Sequence, residues 1–300
     1  WSRILFNRKI TKKLYENERK IIELAENRWN KHRSEGDMMK ERNIGVDLLR
    51  IIAMLMIVFL HILGKGKFIT STNNEVFYQI SVLLEIICIV AVNCYVLITG
   101  YFQVNTTFKI KKFITIWIKV ILYSISIYLI LILLNKRDFS ISECIKSFFP
   151  VITNSYWFVN CYLLLYILSP FLNKLIKNMN KSEFQKLLIV LLVVFCIFPS
   201  IFPASFNLDN TAGYGIIWFI VLYFVGAYIR LHLKINYNNY INLFIYFLIS
   251  VINCIIFFVI KYISNLLNIQ DFSIRLYNYN FCTVFLAAIF LFLYFKNLEI

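Results

Sequence analysis

The stretch DLLRIIAMLMIVFLH, residues 47–61, carries three polar residues in an otherwise apolar run: Asp47, Arg50 and His61. Ionisable groups inside a membrane are costly, so each is read first as functional. Their spacing places them together. Eleven helical steps of about 100° lead from Arg50 to His61 and return to within about 20° of the start, about 16 Å further along the axis. Asp47 lies one turn before Arg50 on the same face. One stripe therefore holds a carboxylate, a guanidinium and an imidazole.

A second apolar block runs the opposite way. It brings Glu85 near the level of His61 and Asn93 near that of Arg50. The expected role of Glu85 is to orient or charge the His61 imidazole, as a carboxylate fixes a tautomer. Other placements compete. Glu85 can pair with Lys119 or face a water-filled crevice, Arg50 can snorkel to the interface, and His61 can be a satisfied interfacial histidine. The shared face of Arg50 and His61 favours function for both. His32 falls in a charged segment and His232 at the end of an apolar block, so both are expected to be solvated or interfacial.

These side chains need a scaffold. Of 300 residues, 60% are hydrophobic and only 16% charged, and the apolar residues come in long blocks. That composition describes an integral membrane protein. Eight blocks qualify or nearly qualify as spans, at 46–63, 77–98, 113–134, 156–176, 186–202, 213–232, 240–262 and 279–296, which predicts an all-α polytopic bundle. Pro150, Pro170, Pro199 and Pro203 are expected near span ends or between spans, where a missing donor is tolerable. Basic residues crowd 1–45 and return at Lys109, Lys111 and Lys112, at Lys174, Lys177, Lys181 and Lys186, and at Arg230 and Lys234. The alternate loops are poorer, which predicts a cytoplasmic N-terminus in a multi-pass plasma-membrane protein. Abundant Ile, Asn, Lys, Phe and Tyr fit a bacterium with an AT-rich genome.

The net charge of +15 lies in clusters between apolar blocks, with no basic groove. The partner it implies is the lipid bilayer and not nucleic acid. The seven cysteines lie mostly inside apolar blocks and form no CxxC motif. They are expected to be small buried hydrophobes, with no disulfide framework and no metal site. Residues 1–39 read as a charged cytoplasmic extension with an amphipathic helix, and residues 40–300 as one membrane domain.

The segment GVDLLRIIAMLMIVFLH resembles the membrane acyltransferase-3 family, in which Arg, ten residues and His stand in the first span, often with Asp three before the Arg. Here these are Arg50, His61 and Asp47. AVNCYVLITGYF (91–102) is similar to the family's Ser-Gly-Tyr/Phe segment, with Thr99 keeping the usual hydroxyl. YWFVNCYLLLYILSPFLNKLI (156–176) resembles its aromatic-led span ending in Ser-Pro, and RLYNYNFCTVFLAAIFLFLYFKNL a late span. The likeness covers 40–300. Members usually have about ten spans, so a count of eight implies that the last one or two are missing here.

The resemblance implies an O-acyltransferase that takes an acyl group, usually acetyl, from cytoplasmic acyl-CoA and needs no metal. The acceptor would be a hydroxyl of a cell-surface polysaccharide, such as capsule, or of its lipid-linked saccharide precursor. His61 would act as general base on the hydroxyl or carry the acyl group briefly. Arg50 would hold the anionic part of CoA, oriented by Asp47, and Glu85 would support His61. Asn93, Thr99, Gly100 and Tyr101 would line the donor entrance. Tyr156 and Trp157 would stack on a sugar ring, although interfacial anchoring accounts for each singly. Lys109, Lys111 and Lys112 would attract CoA phosphates or simply mark topology. Two other functions fit a polytopic bundle with a few buried polar groups: a transporter or flippase of envelope saccharide precursors, and a non-catalytic membrane partner in polysaccharide assembly. No pair of short Gly/Pro-interrupted helices in matching halves supports transport.

Overall fold

Lipid offers no partners to backbone amides, so long apolar runs fold as helices. The computed structural model describes residues 43–65, 74–148, 156–202, 208–209, 211–234 and 237–298. The chain divides into Trp1–Ile44 and Gly45–Ile300. The charged extension expected at 1–39 lies outside the described residues, and the helices that follow build the second unit.

Helix α1 (Ile44–Leu60) runs on as a π turn, His61–Lys65. Helices α2 (Glu75–Cys88) and α3 (Ala91–Gln103) are two parts of one span, interrupted at Ile89–Val90. Next come α4 (Ile110–Leu133) and the short α5 (Ile141–Phe148). Helix α6 (Trp157–Asn178) turns sharply into α7 (Lys181–Leu192), which continues through a π stretch, Val193–Ile197, and α8 (Phe198–Ile201). Then follow α9 (Ile216–His232) and α10 (Tyr240–Leu267). A 3-10 turn, Ser273–Tyr277, leads to α11 (Cys282–Lys296). Caps mark two starts. Asn74 accepts hydrogen bonds from the Val76 and Phe77 amides, and Asn180 with Glu183 forms a reciprocal capping box, satisfying donors that have no partner within the helix.

Among the described residues, seven segments are long and apolar enough to cross a membrane, and α9 is a shorter apolar eighth. The all-α polytopic bundle is therefore present, with no strand among the described residues. Bounds shift in places: the second span reaches Gln103, well past residue 98, and the last begins with the 3-10 turn. The 17 residues of α9 measure about 25 Å, short for a bilayer core of about 30 Å. It tolerates that because it is surrounded by protein. Trp218, Phe219, Val221, Leu222 and Tyr223 are each at most 1% exposed.

Helices α3, α9 and α11 make the centre, while α4 buries only 6% of its apolar window and is left to face lipid. Small residues bring the central backbones together, as membrane helices require. A Cβ on Gly100 would stand 2.2 Å from the Tyr223 carbonyl oxygen, and one on Gly226 2.3 Å from that of Leu97. Polar bonds add to the contact. Tyr223 donates to Asn173 (2.6 Å), and Asn173 Nδ2 donates to the Gln103 carbonyl (3.0 Å), tying α9, α6 and α3 together.

Pro170 differs from expectation. It lies inside α6 and leaves the carbonyl four residues back, that of Tyr166, without its helical donor. The Ser169 hydroxyl donates to that same carbonyl at 2.7 Å. A Ser-Pro pair thus carries its own repair, and α6 continues to Asn178.

Candidate functional site

Arg50 projects from α1 into a cavity of about 330 Å³, within the size range of small-molecule sites. Helix α3 supplies one wall with Tyr95, Ile98, Thr99, Phe102 and Gln103, the i, i+3, i+4, i+7, i+8 stripe of a single helix face. Lys112 enters from the first turn of α4, and Phe158 and Tyr162 from successive turns of α6.

The guanidinium is held from several sides. Asp47, one turn back, forms an ion pair with it. Its Cζ lies 5.3 Å from the centroid of the Phe102 ring, in reach of a cation–π attraction. The Tyr95 hydroxyl donates to the Arg50 carbonyl at 2.7 Å, fixing α1 against α3. Lys112 is positioned through Tyr166. Its ammonium stands 5.2 Å from the Tyr166 ring centroid, and the Tyr166 hydroxyl accepts from the Lys109 amide at 3.1 Å. Two cations therefore face one half-enclosed space lined by rings.

His61 stands at the far end of α1, where the helix widens into the π turn. Such bulges recur at functional sites. Its Nδ1 lies 2.8 Å from the Ile57 carbonyl oxygen. A carbonyl only accepts, so the proton of the neutral ring sits on Nδ1 and the Nε2 lone pair points away, unused. The side chain is exposed on the bundle. Helix α1 is continuous from Arg50 to His61, so the shared stripe and its rise of about 16 Å hold.

Glu85 comes to the same end. Its Oε1 would lie 3.7 Å from a Cβ on Gly64, in the π turn itself. The contact is with the turn and not with the imidazole. Among the described residues the ion pairs are Arg50–Asp47 and Arg137–Glu143, so Glu85 pairs with neither His61 nor Lys119. The tautomer-fixing role expected of Glu85 falls to the Ile57 carbonyl.

The residues expected at the donor entrance divide. Thr99 lines the cavity, with its hydroxyl bonded to the Tyr95 carbonyl at 2.8 Å. Asn93, Gly100 and Tyr101 do not line it. Asn93 is fully buried, donating to the Tyr279 carbonyl (2.8 Å) and accepting from the Trp218 indole (3.1 Å). Gly100 is the α3–α9 contact. Tyr101 is buried and accepts from Arg230 Nη1 at 2.9 Å. At the start of α6, Tyr156 is the half-buried N-cap residue. Trp157 packs at 4.5 Å against Tyr214 and 6.0 Å against the cavity residue Phe158.

Six contributors were not singled out from sequence: Tyr95, Ile98, Phe102, Gln103, Phe158 and Tyr162. A signal existed for all. The first four share the Thr99 face at helical spacing, and the last two are an i, i+4 aromatic pair.

Among known families, the model of an acyltransferase domain, the acyltransferase-3 family, matches residues 43–299. No curated protein and no solved structure matches the chain. The matched stretch contains the Arg50 cavity, the π turn at His61 and every helix described above, and the chain is a multi-pass membrane acyltransferase belonging to the acyltransferase-3 family.

Proposed function

We propose that this acyltransferase moves an acetyl or other short acyl group from acyl-CoA, held at the Arg50 end, to a saccharide hydroxyl at the His61 end. The acceptor is an envelope polysaccharide or its lipid-linked precursor, and the membrane is the bacterial plasma membrane. Lys and Arg residues around the α3–α4, α6–α7 and α9–α10 turns, among them Lys109, Lys111, Lys112, Lys174, Lys177, Lys181, Arg230 and Lys234, support a cytoplasmic Arg50 end.

The observation that carries this reading is the orientation of His61: Nδ1 is occupied by Ile57 and Nε2 is free, on the stripe whose other end is the cationic cavity. A sugar hydroxyl is a poor nucleophile near neutral pH. His61 Nε2 takes its proton as the oxygen attacks the thioester carbonyl. The new C–O bond forms, the C–S bond breaks, and the departing CoA thiolate takes the proton back from the imidazolium. General base catalysis of this kind contributes about 100- to 10,000-fold. Arg50 and Lys112 meet the phosphates of the donor, and a pantetheine arm bridges the distance of about 16 Å from Arg50 to His61. Asp47 keeps the guanidinium facing the cavity.

The test uses purified protein in lipid nanodiscs with acetyl-CoA and a saccharide acceptor. Saccharide-dependent release of CoA, absent in His61→Ala, supports the reading. Release that survives His61→Ala removes His61 from the mechanism. Saccharide movement across vesicles without CoA release favours transport instead.

A further inference from the structure

Beside the donor cavity lies a second cluster, made of rings. Trp157 opens α6, Tyr214 precedes α9 and Tyr279 precedes α11. Their centroids are 4.5 Å apart for Trp157 and Tyr214, 4.7 Å for Tyr214 and Tyr279, and 5.7 Å for Trp157 and Tyr279. Tyr279 is buried, whereas Tyr214 is 44% exposed. The cluster is thus anchored at its base and open at its rim.

The exposed ring is fixed in place. The Asp209 carboxylate accepts from the Thr211 amide at 3.0 Å, and the Tyr214 amide donates to the Thr211 carbonyl at 2.9 Å. Gly213 turns the chain at φ +83°, where a side chain would be strained. The Ala212 carbonyl accepts from the Tyr279 amide at 3.1 Å, so loop and base move together.

Placement adds to this. Asn93, which bonds the Tyr279 carbonyl, is two residues from Tyr95, which bonds the Arg50 carbonyl. The ring cluster and the Arg50 cavity are therefore both tied to α3, and Trp157 touches the cavity through Phe158.

A sugar ring has an apolar C–H face and a rim of hydroxyls. Aromatic rings match the face, and phenol hydroxyls match the rim. We propose that Trp157, Tyr214 and Tyr279 form the platform that binds the accepting saccharide ring. This deepens the proposed function and rests on its acceptor being a saccharide.

The test uses the full chain in nanodiscs, radiolabelled acetyl-CoA as donor, and soluble glucose and N-acetylglucosamine tetrasaccharides as acceptors. Tyr214→Ala should raise the acceptor KM about five- to tenfold, the worth of a stacked ring. Its donor KM should stay at the wild-type value, which also reports an intact fold. Tyr214→Phe keeps the ring and should restore the acceptor KM to within about twofold of wild type. An unchanged acceptor KM in Tyr214→Ala, or an equal rise in both KM values, overturns the platform while leaving the saccharide reading in place. Wild-type protein that acylates neither tetrasaccharide but shows His61-dependent CoA release overturns both.

Discussion

Around Arg50, α1 meets a cavity with two cations, a carboxylate and a ring-lined wall drawn from three further helices. Around His61, the same helix has widened into a π turn, with the imidazole exposed and one carboxylate at the turn's back. The first arrangement suits a large anionic molecule that must be held. The second suits a single proton transfer, where one free nitrogen matters more than enclosure. A straight helix keeps them about 16 Å apart, so binding and chemistry are separable along one element.

That separation makes the two ends respond differently to substitution. The largest effect is expected at His61. His61→Ala should lower kcat about 100- to 10,000-fold in a steady-state transfer assay, with donor KM nearly constant. A large rise in donor KM would instead place His61 in the donor site.

Arg50→Ala comes next. It removes a charged anchor, so donor KM should rise about tenfold to a hundredfold. Arg50→Lys should recover only part of this, because an ammonium lacks the planar fork of donors. Full recovery would show that charge alone suffices.

Between these in kind lies a structural control. Gly226→Ala forces a Cβ toward the Leu97 carbonyl and should destabilise the bundle by about 1–3 kcal/mol, read as a lower midpoint of thermal unfolding in detergent. It should affect both substrates alike. A selective change in donor KM would mean that the α3–α9 contact shapes the cavity directly.

The smallest effect belongs to Lys112. At the cavity mouth and partly screened, its charge should matter about two- to fivefold, and Lys112→Gln should raise donor KM at low salt but much less at high salt. Salt-independent loss would point to packing on Tyr166 as the reason for the residue.

The same contrast explains what the sequence made legible. The Asp47–Arg50–His61 stripe needs only the helical repeat, and α1 obeys it. The spans follow from apolar runs, and even the short α9 is visible as one. The donor wall was harder to see because motif and face disagree. Thr99, Gly100 and Tyr101 are adjacent in sequence, but each step rotates the helix by about 100°. Only Thr99 shares the face of Tyr95 and Phe102. Gly100 turns to Tyr223, and Tyr101 to Arg230 and Phe292. Asn93 invited a ligand role because a buried amide needs partners. Those partners, Trp218 and Tyr279, are 125 and 186 residues away in the chain, beyond any local pattern. Glu85 shows the converse: its depth was readable, its neighbours were not, and a backbone carbonyl four residues from His61 took the role assigned to it.

The division of labour along α1 is tested most directly by equilibrium binding of a non-hydrolysable acetyl-CoA analogue to three proteins in nanodiscs: wild type, His61→Ala and Arg50→Ala. The account predicts that His61→Ala binds within about twofold of wild type, while Arg50→Ala binds about tenfold or more weakly. Loss of binding in His61→Ala with retention in Arg50→Ala would contradict it.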